Sequence, residues 1–132
     1  MRTIARETVF KYIFSRLFNA SDEGLFVSLI KDAGLNLDDA NFAHDLLVKI
    51  DEGMDKYLSE IETLSVGYSV SRVFPADKCA IILGMAELEG YPSTPTAVVI
   101  DEAVKLAGKY STEKSTDFVN GILAQFVKKV RK

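Results

Sequence analysis

Few side chains of this sequence are suited to catalysis. His44 is the single histidine and Cys79 the single cysteine among 132 residues, so neither has a second ligand of its own type for a metal site. Acidic pairs such as Asp101 and Glu102 are adjacent in sequence, and adjacent side chains on a helix point about 100° apart, which does not make an acid–base dyad. The sequence contains no glycine-rich phosphate loop and no GxSxG motif. It therefore predicts a protein that is not an enzyme and needs no metal or cofactor.

Composition restricts the class of protein further. With 48% hydrophobic and 27% charged residues, the chain is typical of one water-soluble globular domain. No apolar run approaches the roughly 20 residues that a membrane-spanning helix needs, and charged residues interrupt the N-terminal segment MRTIARE, unlike a secretory signal. Cys79 lies in the apolar stretch DKCAIILGMAEL and is interpreted as a buried structural thiol. These features predict a cytoplasmic protein.

The distribution of charge indicates a second kind of chemistry, the binding of a polyanion. The net charge is −3, which by itself argues weakly against a nucleic-acid partner. Residues 1–20 nevertheless carry four cations and one acid, and residues 124–132 carry four cations and no acid, so the acidic excess lies between them. If both ends of the chain meet, they form a basic patch on an acidic body. The alternative is that the basic ends are simply solvated.

Helices are the elements that must position these residues, because apolar side chains recur every three or four residues throughout. In the first half of the chain the pattern predicts three helices. Gly34 offers a left-handed stop after the second of them. The predicted elements are a helix from a Thr3 cap to about Phe18, a second capped by Ser21, and a long third from Asp38 to Leu64.

In the second half of the chain, the pattern predicts a connection and three further helices. Residues 65–74 are interpreted as a helical turn and a linker. The segment YPSTPT, with two of the three prolines, is the clearest loop. The predicted helices run from Pro75 to Gly90, from a Thr94 cap with Pro95 at the first position to about Tyr110, and from a Ser115 cap into the basic tail. The fold class is therefore all-α, with about six to seven helices in one compact unit.

The amino-acid sequence of the C-terminal helices resembles that of a known protein family. The run IDEAVKLAGKYSTEKS followed by FVNGIL closely resembles the C-terminal signature of the NusB family of bacterial transcription antitermination factors. Looser agreement extends through FAHDLL at 42–47, DKCAIILGMAEL at 77–88 and ARE at 5–7. The resemblance implies a single NusB-like RNA-binding domain over residues 1–132. It also implies two packed helical subdomains, at about 1–66 and 67–132.

The resemblance implies a binding function. Members of the family bind the boxA segment of nascent single-stranded RNA together with a small-subunit ribosomal protein that doubles as a Nus factor. They help RNA polymerase resist termination in ribosomal RNA operons, as part of an antitermination complex. Two alternatives stay open: a stand-alone relative of the NusB-like domain fused to RNA methyltransferases, and a diverged helical module that contacts only protein. Whether the chain forms a homodimer also stays open.

The resemblance also implies a basic RNA-binding helix. The family carries an arginine-rich first helix, and the cations of this chain that match or follow that motif are Arg2, Arg6, Lys11 and Arg16. The tract is thinned, because Thr3 and Ile4 stand where further arginines are usual. For a single strand, every phosphate that goes without a cationic partner should flatten the salt dependence of binding by about 0.7.

Residues near the polar elbow between the last two helices complete the predicted sites. Phe118 matches a family position on the RNA-facing surface, although its helical stripe equally fits the core, and Tyr110 is a weaker candidate for base stacking. Lys114 stands in the elbow where the family commonly has an acid or Asn, and would add a basic group beside the RNA. Asp77 is implied as an acid at the ribosomal-protein interface. Gly121, in mid-helix, is interpreted as a point of close helix approach.

Overall fold

The computed structural model describes residues 2–19, 22–65 and 73–131. That part of the chain folds into six α-helices and contains no strand, which confirms the predicted all-helical class. The predicted division into two subdomains stays a prediction. The helices are α1 (Arg2–Ser15), α2 (Glu23–Asp32), α3 (Leu37–Leu64), α4 (Pro75–Gly90), α5 (Thr96–Tyr110) and α6 (Glu113–Val130).

Two helices in the second half of the chain have N-caps that differ from the predicted ones. Thr94 does not cap α5, because Pro95 occupies the N-cap position and offers no side-chain hydrogen bond. Ser115 does not cap α6 either: it is the third helical residue and forms a capping box with Thr112, the true N-cap. Small hydroxyl residues crowd both helix starts, so sequence alone leaves the exact cap ambiguous by a few residues.

The first half of the chain shows similar small shifts. Asp22 caps α2 by accepting hydrogen bonds from the backbone N–H groups of the first turn, whereas the predicted cap, Ser21, lies outside the described residues. Helix α3 begins at Leu37, one residue before the predicted start at Asp38, and Asn36 caps it. Gly34 adopts a φ of +67°, as the predicted left-handed stop requires. Most of the connection predicted at 65–74 also lies outside the described residues.

Helix α4 forms the centre of the molecule. Twelve of its sixteen residues are buried, including the stretch from Cys79 to Leu88, because α1, α3, α5 and α6 all pack around it. A helix that is apolar on every side is expected where neighbours surround it. Cys79 is buried as predicted, and burial raises the pKa of its thiol to about 12. Among the described helices, none is long and apolar enough to cross a membrane.

Close helix packing depends on a different glycine from the predicted one. A Cβ added at Gly84 of α4 would lie 2.8 Å from Leu123 Cδ1 and 3.4 Å from the Ala103 Cβ, so Gly84 lets α5 and α6 approach α4. Gly121 is exposed, and a Cβ added there would meet nothing within 4 Å. The interpretation of Gly121 as a point of close approach was therefore wrong.

Candidate nucleic-acid interface

The four cations predicted on the first helix do not form one stripe: Arg2, Arg6 and Lys11 lie in α1, and Arg16 follows its last residue. Arg2 and Lys11 are nine residues apart, which places them on opposite sides of a helix with 3.6 residues per turn. Arg2 points to the start of α3, where its Nη2 lies 3.2 Å from the Asp38 carboxylate and its guanidinium 4.3 Å from the Phe42 ring centre. Arg16 points to the middle of α3, with Nη2 2.7 Å from Asp51 Oδ1. Two of the predicted RNA contacts are thus engaged in ion pairs on the α3 side.

Arg6 lies in the interior, between α1, α4 and α5. It is 5% exposed, and its Nε and Nη2 donate to the two carboxylate oxygens of Glu87 at 2.7 and 2.6 Å. Its Nη1 lies 3.3 Å from Glu102 Oε1. Burial alone lowers the pKa of Arg6, but the hydrogen bond to Glu87 and the charges of both acids outweigh it, so the pKa is raised. In this arrangement the guanidinium faces carboxylates rather than solvent.

The opposite side of α1 meets the end of α5. Lys109 Nζ and the Tyr110 hydroxyl each donate to Glu7 Oε2 at 2.6 Å. The Tyr110 ring also stacks on Phe10, with ring centres 4.9 Å apart. Hydrogen bonds from Lys109 and then Tyr110 lower the pKa of Glu7, and the nearby charge of Lys11 adds to this effect. The middle of α1 is therefore fixed beside the last turn of α5.

This junction brings basic and aromatic groups together. We call it the elbow surface: Lys11 from α1, Lys109 and Tyr110 from the end of α5, and Lys114 and Phe118 from the start of α6. The three lysines are exposed, Tyr110 is 37% exposed and Phe118 is half-buried against the core. Only Ser111 and Thr112 separate α5 from α6. Ammonium groups beside aromatic rings are suited to the phosphates and bases of a single strand.

A groove opens next to the elbow surface, between the starts of α4 and α6. It has a volume of about 260 Å³ and is lined by Val73, Phe74, Asp77, Thr112, Lys114 and Phe118, among others. Asp77 was predicted at a protein interface, whereas Lys114 and Phe118 were predicted at the RNA. The structure brings all three residues into the same groove. Asp77 is 4% exposed, and its Oδ1 has no hydrogen-bond partner within the described part of the chain.

Sequence reasoning missed several residues of this region. Glu87 and Glu102, which hold Arg6, carry no motif that distinguishes them from surface acids. One signal was present: Glu87 lies inside the apolar stretch DKCAIILGMAEL, where a charged residue must be paired to be tolerated. Lys109 was also missed, although it stands one residue before Tyr110 in the family-like segment.

Comparison with known proteins identifies the family. A model of the NusB family matches residues 2–128, nearly the whole chain. This chain belongs to the NusB family. The family membership predicted from the sequence of the C-terminal helices is thereby confirmed.

Individual NusB relatives match this chain over more than nine-tenths of their length. The transcription antitermination protein NusB of Finegoldia magna is 30% identical over 129 residues, covering 97% of this chain and 94% of that protein. The protein of the same name from Streptomyces griseus is 35% identical over 130 residues, covering 92% of this chain and 91% of its own length.

Solved NusB structures share the fold. The T. maritima NusB structure matches with a TM-score of 0.92 and 28% identity, covering 100% of this chain and 94% of that one. A crystal structure of the antitermination factors NusB and NusE in complex with dsRNA matches with a TM-score of 0.86 and 28% identity, covering 97% and 96%. The arrangement of the six helices is therefore that of NusB.

Proposed function

We propose that this NusB chain is a transcription antitermination factor that binds boxA-type single-stranded RNA together with a small-subunit ribosomal protein. Its relatives over nearly the full length are transcription antitermination proteins, and a structural neighbour is a complex of NusB with NusE and RNA. Bound to both partners, the chain helps RNA polymerase resist termination in ribosomal RNA operons. The family is one of transcription factors, and we assign this chain a binding role in the cytoplasm, without catalysis of its own.

We further propose that the elbow surface is the main RNA contact. The observation that supports this is the combination of three exposed lysines with Tyr110 and Phe118 at the α5–α6 junction. On the α3 side, the carboxylates that pair with Arg2 and Arg16 compete with phosphates for the same guanidinium groups. Glu7 competes in the same way for Lys109, so Lys11 and Lys114 supply the proposed phosphate contacts of the elbow surface. Arg6 acts by holding α1 against α4 and α5, so that Lys11 stays beside Lys109. Helix α1 thus contributes Lys11 to the elbow surface and, through Arg6, keeps that lysine in place.

The salt dependence of binding tests this assignment. For a single strand, each phosphate contact contributes about 0.7 to the slope of log affinity against log salt. We expect Lys114→Ala and Lys11→Ala each to weaken RNA binding and to reduce the slope by about that amount. The matched control is Lys31→Ala, which removes one exposed lysine from α2. Equal slopes in the three variants would show that the elbow surface does not contact phosphate.

A further inference from the structure

Phe74 is an aromatic residue that neither the start of α4 nor the core uses. It occupies the N-cap of α4 and makes no side-chain capping hydrogen bond, whereas small polar residues at this position stabilise a helix by capping its first N–H groups. Its side chain is 55% exposed, although the neighbouring Val73 is buried. Within the described part of the chain, no aromatic ring or cation contacts the Phe74 ring. The ring is therefore available to a ligand.

The backbone that carries this ring is held in place. Phe74 has a φ of −56° and a ψ of 140°, the extended conformation that a following proline such as Pro75 favours. Its carbonyl oxygen accepts a hydrogen bond from the Lys78 N–H at 2.9 Å. Helix α4, which begins here, is surrounded by α1, α3, α5 and α6. A fixed backbone limits the conformational entropy that is lost when a ligand stacks on the ring.

A cation without an ion pair lies in the same groove. Lys114 lines the groove from the first turn of α6, is exposed, and pairs with no acid among the residues that the structure describes. Lys109, by contrast, pairs with Glu7. The acid of the groove is Asp77, which is 4% exposed. This acid repels a phosphate from the start of α4, so that a phosphate is favoured at Lys114 and an uncharged base at Phe74.

We propose that Phe74 stacks one base of the RNA while Lys114 binds an adjoining phosphate. The RNA then continues from the elbow surface across the groove to the start of α4. This inference rests on the proposed function and adds a contact outside the elbow surface. Stacking on an aromatic ring tolerates any base, because every base has a π-face. The contact therefore adds affinity at one nucleotide position without selecting the base.

The unpaired lysine favours RNA over protein as the partner of this ring. An apolar side chain of the ribosomal protein would also cover Phe74, but it would leave the Lys114 ammonium without a use. A nucleotide supplies both an aromatic base and a phosphate, and proteins that bind single strands combine aromatic rings with positive charge in this way. The groove, at about 260 Å³, is below the roughly 300–1,000 Å³ of pockets for drug-sized ligands and is suited to one planar group.

Combined changes in the protein and in the RNA test the stacking contact. The probe is a labelled boxA strand in which one nucleotide at a time is made abasic, which removes a base and keeps its phosphate. Titrated with the wild-type chain and the ribosomal protein, the strand should bind about tenfold more weakly when the base that stacks on Phe74 is missing. Phe74→Leu should weaken binding of the complete strand by a similar factor. In that variant, the abasic change at the same position should have little further effect.

Matched variants separate this result from a general loss of affinity. Phe18 is 66% exposed at the end of α1 and does not line the groove, so Phe18→Leu should keep every abasic penalty of the wild-type chain. Phe74→Trp retains an aromatic face and should keep the penalty that Phe74→Leu removes. Since the Phe74 side chain is largely exposed, Phe74→Leu should also unfold at the same urea concentration as the wild-type chain.

A second change in the RNA tests the role of Lys114. An uncharged methylphosphonate beside the stacked nucleotide should weaken binding to the wild-type chain and should have little effect on binding to Lys114→Ala. An equal loss in both proteins would overturn the assignment of Lys114 to the adjoining phosphate.

The possible outcomes distinguish this inference from the proposed function. A Phe74→Leu variant with the abasic profile of the wild-type chain, and with salt slopes that still depend on Lys11 and Lys114, would overturn the stacking contact and leave RNA binding intact. A Phe74→Leu variant that keeps every abasic penalty but loses affinity for the ribosomal protein would assign the ring to the protein partner, which also overturns the proposal. No RNA binding under any condition would contradict both.

Discussion

Arg6 offers the sharpest distinction between a supporting and a phosphate-binding role. Its guanidinium donates to both oxygens of Glu87, which is fully buried, and it also lies near Glu102. Arg6→Met keeps the length of the side chain and removes the charge. The variant leaves the Glu87 carboxylate buried without its partner, and breaking a buried ion pair in this way costs about 3–5 kcal/mol.

The companion variant removes both members of the pair. Replacing a buried ion pair with apolar groups of similar volume is often neutral or stabilising, so Arg6→Met/Glu87→Met should recover most of the lost stability. Glu102 keeps a hydrogen bond from the Thr3 hydroxyl at 2.6 Å and is partly exposed. The double variant therefore strands no fully buried charge.

Urea unfolding at neutral pH measures both effects. With a slope of about 2 kcal/mol per molar urea, a loss of about 4 kcal/mol for Arg6→Met lowers the midpoint by about 2 M. The RNA-binding salt slope of the folded double variant should equal that of the wild-type chain. The reasoning is refuted if Arg6→Met costs less than about 1 kcal/mol, or if the double variant folds but its salt slope falls by the value of about 0.7 that corresponds to one phosphate.

Three further predictions concern packing and charge elsewhere. The pKa of Glu7 is lowered from 4.5 by Lys109 and Tyr110, so its ionised form stabilises the fold above about pH 4.5 and this contribution disappears as the pH falls through the lowered folded-state pKa. Glu7→Gln should therefore lose less stability than the wild-type chain between pH 7 and pH 3 in parallel urea titrations; an equal loss would contradict this. Gly84→Ala should cost about 1–3 kcal/mol through contact with Leu123, whereas Gly121→Ala should gain about 0.5–1 kcal/mol, and equal thermal shifts would refute the packing argument. Arg131 donates to the carbonyl oxygens of Leu88, Tyr91 and Thr94, so Arg131→Met should lower the free energy of unfolding by about 1.5–3 kcal/mol, and a change below about 0.5 kcal/mol would show that these bonds contribute little.

Helical periodicity was enough to predict the architecture. The stripes of apolar residues placed all six helices, and Gly34 and Pro75 marked a stop and a start as expected. Cap positions were harder, because several hydroxyl residues near each helix start can accept the same backbone hydrogen bonds. Thr112 and Ser115 illustrate this, since both take part in one capping box.

The direction of each side chain in three dimensions was not available from the sequence. Four cations on one helix look like a basic tract, yet Arg6 points inward because Glu87 and Glu102, from distant segments, create an acidic interior site. Likewise, Asp77 and Phe118 are 41 positions apart and meet in one groove only through the packing of α4 on α6. Sequence motifs shared with the family indicated the function, whereas tertiary packing determines which side chains are available to contact the RNA.

A titration of boxA RNA with and without the small-subunit ribosomal protein tests the central claim most directly. Fluorescence anisotropy of a labelled boxA strand would report RNA binding by the chain alone and by its complex with the ribosomal protein. We predict binding that weakens steeply with salt and becomes tighter when the ribosomal protein is present, because both partners form one complex with the chain. An RNA affinity that is immeasurable in both conditions, while the chain is folded and binds the ribosomal protein, would contradict the account.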